Sequence, residues 1–443
     1  MNNEGSRQDC NPIKKELDLN IPESLQKRAA RLEDYYRLHY EALAPLISQC
    51  FLNTIETTVK QLEDGTYFVI TGDIPAMWLR DSAAQVRPYV KYAKEDGKLQ
   101  EILESIIAKQ AFLVCMDPYA NAFNESANGK GHRDDTVLND HVWERKYEVD
   151  SLCAPLYLAY YYWKTTGIDR IFTKGFYEMI GAIAENFTTE QDHEKSPYYF
   201  RRYDCPATDT LPNEGKGTAV KVTGMTWSGF RPSDDSCDFG YLVPANMMAV
   251  KAMEFAEEIC RSCYKDEALA AKCQTLAKEI QEGIQKYAVV EHPKYGKMYA
   301  YETDGLGNYN LMDDANSPSL LAMPYLGYCT QDDPIYKNTR NFILSVDNPY
   351  YYEGSMAKGV GSPHTPSGYV WHIGIVMQAL TSESREEILE CLDMLSKTHA
   401  GTNYMHESFN PSMPEEYSRP WFAWANTLFA ELLDRLMEED FWR

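Results

Sequence analysis

The stretch Leu152-Cys-Ala-Pro-Leu-Tyr-Leu-Ala-Tyr-Tyr-Tyr-Trp163 runs into Thr165-Thr166-Gly167-Ile168, then into a second apolar-periodic segment over 171–188, then into the long link 193–240. Helix, short polar turn, helix, long loop is the order that decides the fold. It recurs outward in both directions, with paired segments near 81–95 and 98–115, 241–262 and 266–288, 317–328 and 335–345, and 368–382 and 384–399. A last segment covers 419–438. At the start, Leu25, Ala29, Leu32 and Tyr36 share one helical face, and a second helix follows through Leu46, Cys50 and Ile55. The short links include Lys94-Glu95-Asp96-Gly97 and Thr381-Ser382-Glu383-Ser384, whereas the links 64–80, 117–147, 193–240, 289–316, 346–367 and 400–420 are long and rich in aromatics and acids.

Long loops inside a compact domain are usually functional. Helical hairpins standing side by side in a ring put every short turn at one end and every long loop at the other. The expected fold is therefore all-α, an (α/α)6 barrel with a cleft lined by six loops. A two-domain helical protein would need a linker, and no Pro/Gly/Ser-rich tract divides the chain. Residues 1–24 read as an extension, poorly ordered, and 25–443 as one catalytic domain. Strand signals are local, at Tyr67-Phe68-Val69-Ile70 and Lys297-Met298-Tyr299-Ala300-Tyr301.

Composition narrows the function. Hydrophobic residues at 44% and charged residues at 25% of 443 are ordinary globular values. A net charge of −23 repels nucleic acid and anionic membranes and excludes both as partners. The polar stretch Met1 to Leu25 has no apolar h-region, so no signal peptide is expected, and Leu152 to Trp163 is too short to span a bilayer. The 11 scattered cysteines suit reduced thiols in a cytoplasm, with Cys260-x-x-Cys263 an idle pair. Aromatic residues reach 13%, including 32 Tyr, which suits thick cores and surfaces that stack on sugar rings.

Chemistry concentrates in the loops. Loop one carries Trp78, Arg80 and Asp81, a stacking face, a donor fork and an acceptor of the kind vicinal hydroxyls require; Asp81 or Ser82 equally suits a cap on the next helix. Loop two carries Asn121, Asn124, Glu125, His132, Asp134, Asp135, Asp140, His141 and Glu144, without any recognisable metal-ligand spacing. Loop three ends in Arg231-Pro-Ser-Asp-Asp235, two adjacent acids just ahead of a helix, where they either cap it or supply a general acid. Loops four to six add Asp314, Asn316, His364, Trp371, His372, His406 and Glu407, with Trp421 and Trp424 beyond. There is no nucleophile elbow, Walker loop or dinucleotide fingerprint. A cleft of carboxylates, aromatics, Asn, His and Arg fits a glycosidase, which works with two carboxylates flanking the scissile bond. These residues do not name the sugar or say which of Asp234 and Asp235 is the acid.

Trp78-Leu-Arg-Asp-Ser82, Arg231-Pro-Ser-Asp-Asp235, Met312-Asp-Asp-Ala-Asn316, Gly361-Ser-Pro-His-Thr365 and His406-Glu407-Ser-Phe closely resemble glycoside hydrolase family 125, from about residue 25 onward. The resemblance implies an (α/α)6 barrel and an exo-acting, metal-independent, inverting α-mannosidase without cofactors, cutting terminal α-1,6-linked mannose from oligosaccharides or glycans. It implies Asp234 as general acid, with Asp235 in reserve, and Glu407 as general base. Trp78 supplies the stacking face, and by the same resemblance Arg80, Asp81, Asn124, Glu125, Asp314, Asn316 and His364 bind the terminal mannose. Competing classes are another helical-barrel α-glycosidase or phosphorylase, and a glycan-binding barrel without catalysis.

Overall fold

The computed structural model describes residues 20–443 except 133 and 137, so most of the proposed extension lies outside the described residues. Twelve α-helices of eight residues or more occur among the described residues. They are α1 (Glu23–His39), α2 (Ala44–Thr57), α3 (Leu79–Val86), α4 (Gly97–Met116), α5 (Val149–Thr166) and α6 (Lys174–Glu190), followed by α7 (Val243–Ile259), α8 (Glu267–Tyr287), α9 (Pro334–Ile343), α10 (His372–Leu380), α11 (Arg385–Lys397) and α12 (Ala423–Glu438).

An inner ring is formed by α3, α5, α7, the run 317–328, α10 and α12. Each contributes to a narrow axial gap of about 50 Å3, through residues such as Ala84, Tyr157, Met248, Tyr325, Met377 and Leu428. Behind the ring stand α4, α6, α8, α9 and α11, and the ring closes where α12 packs on α2 and α3. The outer partner of the last inner helix thus comes from the beginning of the chain. One continuous apolar core runs from Leu25 to Met437. Buried tyrosines tie elements together through their hydroxyls, as where Tyr36 donates to the Leu433 carbonyl at 2.8 Å and Tyr157 to the Leu326 carbonyl at 3.0 Å.

Capping separates the two ends of the barrel. The outer helices α4, α6, α8, α9 and α11 begin after short links and carry side-chain caps from Asp96, Thr173, Asp266, Asp333 and Ser384. Such a cap contributes about 1 kcal/mol. The inner helices α3, α5, α7, α10 and α12 lack one and start directly from extended residues at the mouth. Three small antiparallel sheets knit the long loops there. Met77–Trp78 pairs with Ala122–Phe123 and that with Val142–Glu144; Tyr241–Leu242 pairs with Glu302–Thr303 and that with Tyr309–Asn310; Val370–Trp371 pairs with Ser408–Asn410 and that with Met413–Tyr417.

Two expected helices differ. The segment 81–95 is α3 followed by a 3-10 turn over Arg87–Tyr92, because Pro88 cannot continue the α hydrogen-bond ladder. The segment 317–328 is a series of turns. There the Asp313 carboxylate takes the Leu320 and Leu321 N–H groups, Ser319 Oγ takes that of Ala322, and Pro324 has none to give. Cys260 and Cys263 lie on a π-helical turn after α7, and the ten cysteines among the described residues are all free thiols. No helix among the described residues is long and apolar enough to cross a membrane.

Candidate active site

The Arg231-Pro-Ser-Asp-Asp235 run is a tight turn and not a helix cap. Asp234 N–H donates to the Arg231 carbonyl at 2.9 Å, with Pro232 at the position its fixed φ favours. The Arg231 N–H donates to the Asp235 carbonyl at 2.8 Å. Helix α7 starts only at Val243, after the strand Tyr241–Leu242, so its dipole does not act on the doublet as expected. Asp234 has φ +75°, a left-handed conformation that Asp tolerates better than most residues. The two acids part company there: Asp234 faces the mouth cavity, and Asp235 turns to His364.

That cavity holds about 150 Å3, room for one pyranose ring, and lies at the loop end of the barrel. Trp78, Arg80, Asp81, Asp234, Asn316, His364 and Glu407 line it together. Three residues named from the sequence lie outside its wall. Asn124 binds the carbonyls of Lys130, Asp140 and Val142 and shapes loop two. Glu125 is exposed and sits 3.7 Å from Lys60. Asp314 accepts from Ser233 Oγ at 2.8 Å and props the turn that carries Asp234.

Arg80 reaches Glu148 at 2.6 Å, Asp150 at 2.9 Å and Asp81 at 3.2 Å. Neither Asp81 nor Ser82 caps α3; Asp81 sits in its first turn with Oδ2 buried against the Arg80 guanidinium. Burial pushes Asp81 up and Arg80 opposes it, leaving the carboxyl above its ordinary range. Burial also pushes Asp234 up, yet the charges of Lys146, Arg80 and His364 overcome it and hold Asp234 below the usual carboxylate value. Burial works against a charge on His364, but the bond to Asp235 and the charges of Asp234, Asp235 and Glu407 raise its pKa to about 9. His364 is therefore an imidazolium at neutral pH, in contact with Asp235.

Glu407 immediately precedes the strand Ser408–Asn410 and is held from behind. Its Oε2 accepts from Ser418 Oγ at 2.9 Å, and its Oε1 lies 3.5 Å from Arg419 Nη1. Arg419 in turn bonds Asp73 of loop one, with Nε 3.0 Å from Oδ1. Sequence reasoning missed Arg419, Lys146 and Glu148. One signal was available: Glu144, Lys146 and Glu148 alternate along an extended entry to α5, Asp150 follows in its first turn, and all four are buried. Charges at strand period on a buried face need partners and mark a site.

The sequence profile of the metal-independent α-mannosidases, glycoside hydrolase family 125, matches residues 41–433. The chain belongs to that family. A Streptococcus pneumoniae family 125 relative, solved in a non-productive complex with α-1,6-mannobiose, superimposes with a TM-score of 0.92 at 47% identity, covering 94% of this chain and 98% of its own. The meiotically up-regulated gene 157 protein of Schizosaccharomyces pombe is 40% identical over 94% of this chain and 86% of its own length. A glucoamylase from Saccharomycopsis fibuligera, at 13% identity and a TM-score of 0.57 over 94% of this chain and 96% of its own, shares the fold alone. The family 125 mannosidase is thus a helical-barrel glycoside hydrolase.

Proposed function

We propose that this family 125 enzyme removes terminal non-reducing α-1,6-linked mannose from oligosaccharides or glycans, acting from the chain end with inversion. The observation that carries the reading is the pairing of Asp234 and Glu407 on the wall of one cavity of about 150 Å3. A pocket that takes one ring supports exo action. Two carboxylates with separate supports, Asp234 on a turn and Glu407 on a strand edge, suit an acid and a base working from opposite faces of the sugar. Asp234 gives its proton to the glycosidic oxygen as the anomeric C–O bond breaks. Glu407 takes a proton from the water that attacks the anomeric carbon. Trp78, Arg80, Asp81, Asn316 and His364 hold the ring. Bound α-1,6-mannobiose in the Streptococcus pneumoniae relative supports the linkage. The free thiols support residence in a reducing compartment such as the cytoplasm.

The test is proton NMR of the first-formed product from α-1,6-mannobiose, beside the α-1,2 and α-1,3 isomers. β-Mannose from the 1,6 isomer is the expected result. Initial α-mannose, or a mannosyl ester on Glu407, overturns inversion, and a preference for another isomer overturns the linkage.

A further inference from the structure

Glu148 does not line the cavity, and its side chain is fully buried behind Asp234. Its Oε2 is occupied by Arg80 Nη1 at 2.6 Å and Ser151 Oγ at 2.7 Å. Its Oε1 faces the amide of Asn121 at 3.2 Å, and the same amide nitrogen lies 3.5 Å from Asp234 Oδ1. One amide thus joins the two buried carboxyls, and the Glu148 side chain is among the groups that hold Asp234 below the usual carboxylate value. Two buried carboxyls held this close do not both ionise.

We propose that Glu148 is the proton store of the catalytic acid, sharing one proton with Asp234 and passing it over as Asp234 protonates the glycosidic oxygen. The idea rests on reading Asp234 as that acid. Unequal surroundings decide where the proton rests. Asp234 faces the cations Lys146, Arg80 and His364, against Asp81, Asp150, Asp209 and Glu148. For Glu148 the leading charges are the Arg80 cation and, against it, Asp150 and Asp234. Burial first, then the charges of Asp150 and Asp234, push Glu148 well above the ordinary glutamate range despite Arg80. In the resting pair the proton therefore sits on Glu148. During turnover it moves from Glu148 Oε to Asp234 Oδ and on to the leaving oxygen, so both carboxyls end ionised. The proton that Glu407 took from water returns to solvent, and solvent recharges the pair. Glu148 touches no substrate atom and is a positioning residue that acts through Asp234.

Glu148→Gln and Asp234→Asn are compared on α-1,6-mannobiose, whose leaving group needs a proton, and on 2,4-dinitrophenyl α-mannoside, whose leaving group does not. For Glu148→Gln, kcat on mannobiose is expected to fall about 10–100-fold while the dinitrophenyl substrate changes less than about twofold, and the alkaline limb of kcat/KM moves to lower pH by about one unit. Equal loss on both substrates, or an unmoved alkaline limb, overturns the proposal. Should Glu148→Gln not fold, Glu148→Asp, which keeps a carboxyl, is read instead, and an alkaline limb identical to that of the native enzyme with both substrates slowed equally overturns the proposal too. Native mannobiose turnover by Asp234→Asn overturns the acid assignment itself, and is recognised separately because it does not involve Glu148.

Discussion

His364 Nδ1 lies 3.0 Å from Asp235 Oδ1, so the second acid of the doublet is engaged by an imidazolium while the first faces the sugar cavity. Asp234→Asn and Glu407→Gln are each expected to keep the fold and lose about 10²–10⁴-fold in kcat. Asp235→Asn is expected to weaken substrate binding more than turnover, since it loosens His364 without removing a proton donor. Steady-state kinetics on α-1,6-mannobiose checks both. Wild-type turnover by Asp234→Asn, with loss confined to Asp235→Asn, reverses the assignment.

The same pair sets a pH dependence. His364 has its pKa raised from 6.5 to about 9, so the folded protein holds this proton more tightly than the unfolded chain. Its stabilisation is complete below the unfolded pKa and disappears as pH rises through about 9. NMR titration of the His364 ring is expected to give a midpoint well above the ordinary value in the native protein and a lower one in Asp235→Asn. Equal midpoints would mean that the contact is not an ion pair in solution.

Two other histidines work in the opposite sense. Burial first, and then neighbouring histidine charge, lower His372 to about 3 and His406 to about 4, so both are neutral when folded. The unfolded chain takes up protons there that the native state refuses, and stability falls as pH drops below about 6.5. His372 Nδ1 lies 3.0 Å from the His406 carbonyl, one residue before Glu407, which ties this loss to the catalytic loop. Urea midpoints should fall between about pH 7 and pH 5, and less so in His372→Gln. A flat profile in the native protein removes the argument.

Gly72 has φ +137°, and a Cβ there would meet the Trp421 carbonyl oxygen at 2.4 Å. Gly72→Ala is expected to destabilise by about 1–3 kcal/mol. It should also lower kcat, because the segment it displaces carries Arg419, which braces Glu407. Thermal melts and kinetics read the two effects separately. Native values for both would show that the segment gives way freely.

Hydrolysis is expected to survive exhaustive EDTA treatment, since the proposed acid and base, Asp234 and Glu407, are both carboxyl groups supplied by the chain. Activity that returns only when Zn²⁺ or Ca²⁺ is added back to stripped enzyme contradicts this.

The ring was legible because its signal is long. Periodic segments joined by Lys94–Gly97, Thr165–Ile168 and Thr381–Ser384 announce hairpins whatever their exact ends. The two-residue mouth strands such as Met77–Trp78 were not, being too short for any alternation to register. The run 317–328 misled because its apolar spacing is helical while Asp313, distant in hydrogen-bond pattern though close in sequence, takes its backbone donors. Within the site, Asp234, Glu407 and His364 stood out from their motifs. Arg419 and Glu148 looked like ordinary surface charges, because their roles depend on Asp73 and Arg80, partners 346 and 68 residues away.

Helix α12 closes the ring against the first helices: Arg28 Nε reaches Asp434 at 2.6 Å, and Thr54 and Thr427 hydroxyls meet at 2.7 Å. A nascent chain can have both catalytic carboxylates outside the ribosome and still lack the last stave of the barrel. Until Ala423–Glu438 emerges, the faces of α2 and α3 that meet it stay uncovered, and such exposed apolar surface is what chaperones recognise. A chain that stops short of α12 therefore leaves the barrel open along one side, however completely the loops of its mouth are formed.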